Sequence, residues 1–132
     1  MLLIDKASGG TLYCINMWEE KLAVDNVPGA NQEQRILQLH GPITITTLFD
    51  FRDTVRAEKN AKTVILDFTQ VPYVDSAGVG AIVNAHVSCV NSGRQLLLVA
   101  VADRIRTLMK VTKVEQVLAI FPTLEEAQAS IQ

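Results

Sequence analysis

Only two cysteines occur in the 132 residues, Cys14 and Cys89, and neither has a companion at a metal-ligand spacing. They read as free thiols of a reducing compartment, with Cys89 a small packing residue on a helix. Positive charge is not in excess either, since the formal net charge is −2. Nucleic-acid binding requires a basic face, and no motif of that class is present, so nucleic acid is not an expected partner. Long apolar runs are also missing. The opening MLLIDKASGG offers only Leu2 to Ile4, too short for a signal-peptide core or a membrane span. The expected location is therefore the cytoplasm, without membrane insertion. The chain also lacks internal repeats, low-complexity tracts, a Walker lysine and a GxGxxG loop. No cofactor or metal is implied.

What is present is globular. A hydrophobic share of 48% against 20% charged residues excludes disorder. A chain of this length has room for one domain, which on folding buries about two-thirds of its unfolded surface.

The hydrophobic pattern alternates between two periods. RILQLHG, residues 35–41, alternates as a short strand. TTLFDFRDTVRAEKN, residues 46–60, sets Leu48, Phe51 and Val55 at helical spacing, with Thr47 as its cap. TVILDF, residues 63–68, has the near-continuous apolar run of a strand covered on both faces. A helix follows with Val79, Ile82, Val83, His86, Val87 and Val90 as its expected core stripe, ended by Asn91-Ser92-Gly93. QLLLVAV, residues 95–101, is a second buried strand. Asp103 is the expected cap of the next helix, whose Ile105, Leu108 and Met109 face inward. VLAIF, residues 117–121, is a last strand. Thr123-Leu124-Glu125-Glu126 matches a capping box and opens a terminal helix with Leu124, Ala127 and Ile131 on one side. EKLAVDNVPGANQEQRILQL, residues 20–39, reads as two strands around the turn Pro28-Gly29-Ala30-Asn31, the second of them the RILQL strand.

These elements predict an α/β fold: a mixed β-sheet of four to six strands, with about four helices packed mainly on one face. The domain spans residues 21–132. Residues 1–20, which include Trp18, form an extension that either adds an edge strand or lies outside the fold, and Met17 is an alternative natural start.

The informative stretch is PYVDSAGVGAIVNAHV, residues 72–87. A strand ending near Val74 and a helix starting near Gly78 place Asp75 and Ser76 as rivals for one N-cap. Gly78 and Gly80 each cost up to about 1 kcal/mol relative to alanine in a helix. Bare backbone must therefore serve close packing or the approach of another molecule. A helix N-terminus stabilises negative charge by roughly 0.3–1 kcal/mol, and a phosphate on Ser76 would bring about −1.5 to −2 charges. The fold would tolerate that dianion, whereas an apolar partner packed over the turn would not.

The segment VILDFTQVPYVDSAGVGAI resembles the signature of the STAS family, the anti-sigma-factor antagonist domains. Its members carry an apolar strand, a short loop and Asp-Ser-(Ser/Thr/Ala)-Gly-(Leu/Val)-Gly opening a helix. The likeness extends from near Leu22 to the end of the chain. It implies a bacterial binding module rather than an enzyme, with Ser76 as phosphoacceptor and Asp75 beside it. It also implies a docking face that includes Tyr73, Asp75, Ala77, Gly78 and Val79. The implied partners are an anti-sigma factor that is itself a serine kinase, which the unphosphorylated antagonist captures to release a sigma factor, and a serine phosphatase that reverses the modification. Ala77 departs from members with a second hydroxyl there.

Other members of the family regulate anion transporters or serve in stress-signalling assemblies and lipid-transport complexes. A phosphorylation-independent scaffold or regulatory subunit is thus the alternative. A nucleophile–base reading of Ser76 with His86 is weak, because ten helical residues separate them by about 15 Å; His40 and Asp67 complete no site either. Gly78-Val79-Gly80 alone is a weak nucleotide signature. Arg104, Arg106, Lys110 and Lys113 read as a solvated helix face or as a contact face for an acidic partner. The oligomeric state is open.

Overall fold

Among the described residues, nine elements follow in chain order: β1 (Ala23–Pro28), β2 (Gln34–His40), α1 (Leu48–Ala57), β3 (Thr63–Gln70), α2 (Ser76–Asn91), β4 (Gln95–Val99), α3 (Asp103–Val111), β5 (Ala119–Phe121) and α4 (Leu124–Ala129). This is a computed structural model, and it describes residues 21–131. The expectations for residues 1–20, Cys14 and Trp18 among them, lie outside the described residues.

The strands form one sheet in the order β1-β2-β3-β4-β5. β1 and β2 are antiparallel, with Val24 opposite Leu39 and Val27 opposite Ile36. The other neighbours are parallel, with Leu37, Leu66 and Leu98 in register across the middle of the sheet. Each parallel pair is bridged by a helix, as such pairing requires. The sheet is mixed, as the alternation of elements predicts.

Side chains alternate across each strand, and residues 36–37, 64–66 and 96–99 of the central strands are apolar because both faces of the sheet are covered. Leu37, Leu39, Val64, Leu66, Phe68, Leu96 and Leu98 face α1, α2 and α3, meeting Phe51, Val55, Ile82, Cys89, Ile105 and Met109. Ile36, Ile65, Leu97 and Val99 point the other way and are covered by α4 through Ala127, with Leu124 and Ile131 alongside. Three helices therefore lie on one face and one on the other. Burial pushes the Cys89 thiol above its ordinary pKa, with nearby Arg94 opposing the shift. That is the behaviour of a packing cysteine.

Several local expectations are corrected. The buried face of α2 is Gly78, Val79, Ile82, Ala85 and Cys89. Val87 and Val90, expected in the core stripe, are exposed, and Val83 and His86 are half-buried. Because α2 is apolar nearly all round, spacing alone does not single out the face that meets the sheet. Thr47 occupies the N-cap position of α1 but makes no side-chain cap bond. Its hydroxyl donates instead to the Pro42 carbonyl at 2.9 Å and accepts from the Thr44 amide at 3.0 Å, closing the β2–α1 loop. Ala102, not Asp103, is the N-cap of α3. Thr123 does cap α4, accepting from the Glu126 amide at 3.2 Å. β4 stops at Val99 because Ala100 turns to φ 60°, in the left-handed region where an extended ladder cannot continue.

Candidate functional site

β3 ends at Gln70, and the chain reaches α2 through Val71, Pro72, Tyr73, Val74 and Asp75. This crossing is tied down on two sides. Val74 makes a parallel bridge with Ile43 of the β2–α1 loop. The Ile43 amide donates to the Tyr73 carbonyl at 3.2 Å, and the Asp75 amide donates to the Ile43 carbonyl at 3.2 Å. From the opposite side, Arg104 of α3 donates through Nη2 to the Pro72 carbonyl at 2.6 Å. An arginine expected on a solvated or partner-contacting face thus holds the loop that precedes Ser76.

Asp75 wins the contest for the cap. Its backbone is extended, and Oδ1 accepts from the Gly78 amide at 2.7 Å. Oδ2 accepts from the Ile45 amide at 3.1 Å. A single carboxylate therefore fixes both the start of α2 and the loop carrying Ile45. Asp75→Ala should lower stability by about 1–2 kcal/mol in chemical denaturation. Asp75→Asn, which keeps one acceptor oxygen, should lose less; equal losses would show that only one of the two bonds matters.

Ser76 is released from structural duty by this arrangement. It is the first residue of α2 and is exposed. The Gly78 and Val79 amides go to the Asp75 side chain and carbonyl at 2.7 and 2.9 Å, so neither needs the serine oxygen. The first amides of any helix lack intrahelical acceptors, which leaves the Ser76 hydroxyl at a partially positive helix start.

The two glycines that follow have different causes. A β-carbon at Gly78 would overlap the Ile43 carbonyl oxygen and lie 2.8 Å from Val74 Cγ1. Only glycine lets α2 approach the Ile43–Val74 bridge this closely. Among the described residues, a β-carbon at Gly80 would meet nothing within 4 Å. Gly78 answers to packing and Gly80 faces open space.

Comparison with known proteins agrees with this topology. The family model for the STAS domain matches residues 22–127. The chain belongs to the STAS family. An anti-sigma factor antagonist from Mycobacterium paratuberculosis superposes on this STAS domain with a TM-score of 0.73 at 14% identity, covering 84% of this chain and 94% of that one. The anti-sigma factor antagonist SpoIIAA of Bacillus, in its unphosphorylated form, gives a TM-score of 0.67 at 17% identity over 83% of this chain and 96% of its own. The murine anion transporter Slc26a9 contains a similar fold, with a TM-score of 0.66 at 22% identity, but the match covers 74% of this chain and only 17% of the transporter. Among the described residues, no helix is long and apolar enough to cross a membrane.

The segments that meet at this turn of the STAS domain carry exposed apolar side chains. Tyr73 is 44% exposed, Ile45 67% and Phe49 58%. Ile45 is held beside Asp75 by its amide bond, and Phe49 follows in the first turn of α1. Exposed large apolar side chains gathered in one region mark an interaction surface more often than chance exposure does. Ala77 is half-buried next to them. Gly78 and Val79, expected to contact a partner, are buried and shape the turn from beneath. Ile45 and Phe49 escape a reading centred on the serine motif. The available signal was Phe49 falling off the Leu48, Phe51, Val55 stripe.

The remaining candidates are engaged elsewhere. His40 Nε2 lies 3.0 Å from Asp25 Oδ2 across the β1–β2 pair. Asp67 lies inside β3, accepting from the Thr69 amide at 2.9 Å and hydroxyl at 2.6 Å. His86 is half-buried on α2, with its Nδ1 buried and unpaired among the described residues. Arg106 pairs with Glu115 at 3.3 Å, while Lys110 and Lys113 are exposed.

Proposed function

We propose that this STAS domain is an anti-sigma factor antagonist, a binding module switched by phosphorylation of Ser76. Unphosphorylated, it captures an anti-sigma factor that is itself a serine kinase, and so frees a sigma factor. The docking face is built by Tyr73, Ser76, Ala77, Ile45 and Phe49, with Asp75 holding the turn. The kinase then transfers the γ-phosphoryl group of ATP to Ser76. A bond forms between Oγ and phosphorus as the bond to the β-phosphate oxygen breaks, the hydroxyl proton leaves to a base of the kinase, and ADP departs. A serine phosphatase restores the hydroxyl by hydrolysis.

One observation carries this reading: Ser76 is exposed at the start of α2 while Asp75 supplies the cap. A serine engaged as cap would have to give up its bond to be modified, at a cost of about 1 kcal/mol to the helix. Here the acceptor stands clear and the first-turn amides favour the incoming charge. The fold shared with an antagonist solved in unphosphorylated and phosphorylated forms supports the same reading.

Intact-mass measurement after incubation with Mg-ATP and candidate anti-sigma kinases tests it. The expected result is a gain of one phosphate, absent in Ser76→Ala. Phosphate on another residue, or none with any kinase that binds the domain, would favour a scaffold or regulatory subunit that works without modification.

A further inference from the structure

α1 and α2 meet along a groove of about 450 Å³ that shares only Ala77 with the proposed docking face. Its apolar walls include Leu48 and Val55 of α1 and Ala81 of α2, and three guanidinium groups line it, from Arg52, Arg56 and Arg94. Among the described residues, no carboxylate lines it. In a chain of net charge −2, this is a local concentration of positive charge around a cavity of the size that holds small molecules, about 300–1,000 Å³.

The guanidinium groups are poorly neutralised. Arg56 makes no ion pair or side-chain hydrogen bond among the described residues. Arg52 lies 3.6 Å from its neighbour Asp53 with both side chains exposed, a contact that solvent weakens. The Arg52 guanidinium is stacked over the Phe49 ring at 4.8 Å, and Arg94 is anchored by donating from Nη1 to the Glu58 carbonyl at 3.0 Å. Both are thereby oriented in advance. The α2 wall adds Gly80, where a side chain would meet nothing. A glycine that weakens its helix without a packing reason leaves backbone open to a molecule from outside.

We propose that this groove binds an amphipathic organic anion. A carboxylate or phosphate monoester head would take paired N–H donors from the arginines. An apolar body would lie along Leu48, Val55 and Ala81. A wholly polar anion would leave those walls wet and gain only the head-group contacts. The inference stands independently of whether Ser76 accepts phosphate.

Titration of the ¹⁵N-labelled full chain with octyl phosphate, octanoate and inorganic phosphate, followed by amide shifts, tests it. Octyl phosphate, octanoate or both should saturate, moving Gly80, Ala81 and Asn84, with inorganic phosphate weaker by about tenfold or more. The double variant Arg52→Gln/Arg56→Gln should lose about tenfold in affinity, and Gly80→Leu, which fills the groove from α2, should lose binding as well. The charge-matched control Lys62→Gln/Lys110→Gln should stay within about twofold. Since all these positions are exposed, circular dichroism should show each variant folded. Failure of both amphiphiles to saturate would overturn the proposal. So would equal affinity for inorganic phosphate, or binding that survives the arginine substitutions.

Discussion

Gly78→Ala should be the most damaging single-methyl change around the turn, with a net loss of about 2–3 kcal/mol and a fall in Tm on the order of 10 °C. The added β-carbon has no room, because the Ile43 carbonyl oxygen occupies its position and Val74 Cγ1 closes the other side at 2.8 Å. Backbone cannot swing aside as a flexible side chain can. The Ile43 carbonyl also accepts from the Asp75 amide at 3.2 Å, so relieving the overlap strains the bridge that holds the site. Alanine's better helix propensity offsets up to about 1 kcal/mol of this, which is included in the net figure. Gly80→Ala two residues on should go the other way, stabilising by about 0.5–1 kcal/mol, because its β-carbon enters empty space. Thermal unfolding of the pair, run side by side, checks both signs. If both substitutions stabilise, helix propensity outweighs the close approach, and the packing account of Gly78 fails.

That contrast shows where the sequence is legible. The strands announce themselves: within TVILDF the run Val64, Ile65, Leu66 is apolar because both faces are covered, Val64 and Leu66 by helices α1 to α3 and Ile65 by α4. The element order and the parallel pairing follow from the alternation of periods. The identity of the cap does not, because Asp75 and Ser76 are both good N-caps and their choice depends on Ile45, thirty residues away in the chain, which supplies the second donor to the carboxylate. The buried face of α2 is obscure for a related reason. A helix with valine, isoleucine and alanine on every side carries little moment, and contact with the sheet selects Ala85 and Cys89 over Val87 and Val90. Thr47 has the right residue type at the right place, yet the Pro42 carbonyl takes its hydroxyl. In each case a long-range or loop contact decides between local options of similar energy. The two glycines look alike in sequence for the same reason: what distinguishes them is Ile43, far off in the chain.

Phosphorylation of Ser76 should lower affinity for the anti-sigma factor by on the order of 100-fold, about 2.7 kcal/mol, while leaving the fold intact. The two effects separate because of where the oxygen stands. Within the domain it touches no core, and the amides at the start of α2 favour added negative charge by roughly 0.3–1 kcal/mol. Against a partner, the same dianion must be buried beside Tyr73, Ile45 and Phe49, all exposed and apolar, and next to an Asp75 carboxylate whose two oxygens already accept from Gly78 and Ile45. Neither an apolar contact surface nor a second anion can compensate its lost hydration. Ser76→Asp carries a smaller charge on a shorter reach and should lose about tenfold, whereas Ser76→Ala should bind within about twofold of the wild type and resist inactivation by the kinase with Mg-ATP. Isothermal titration with the anti-sigma factor gives the affinities, and thermal unfolding of the same samples should place every form within about 1 kcal/mol of the unmodified domain. Unchanged binding by the phosphorylated form would remove the switch. A Tm that falls in step with affinity would mean that the charge acts by unfolding the turn rather than by expelling a partner.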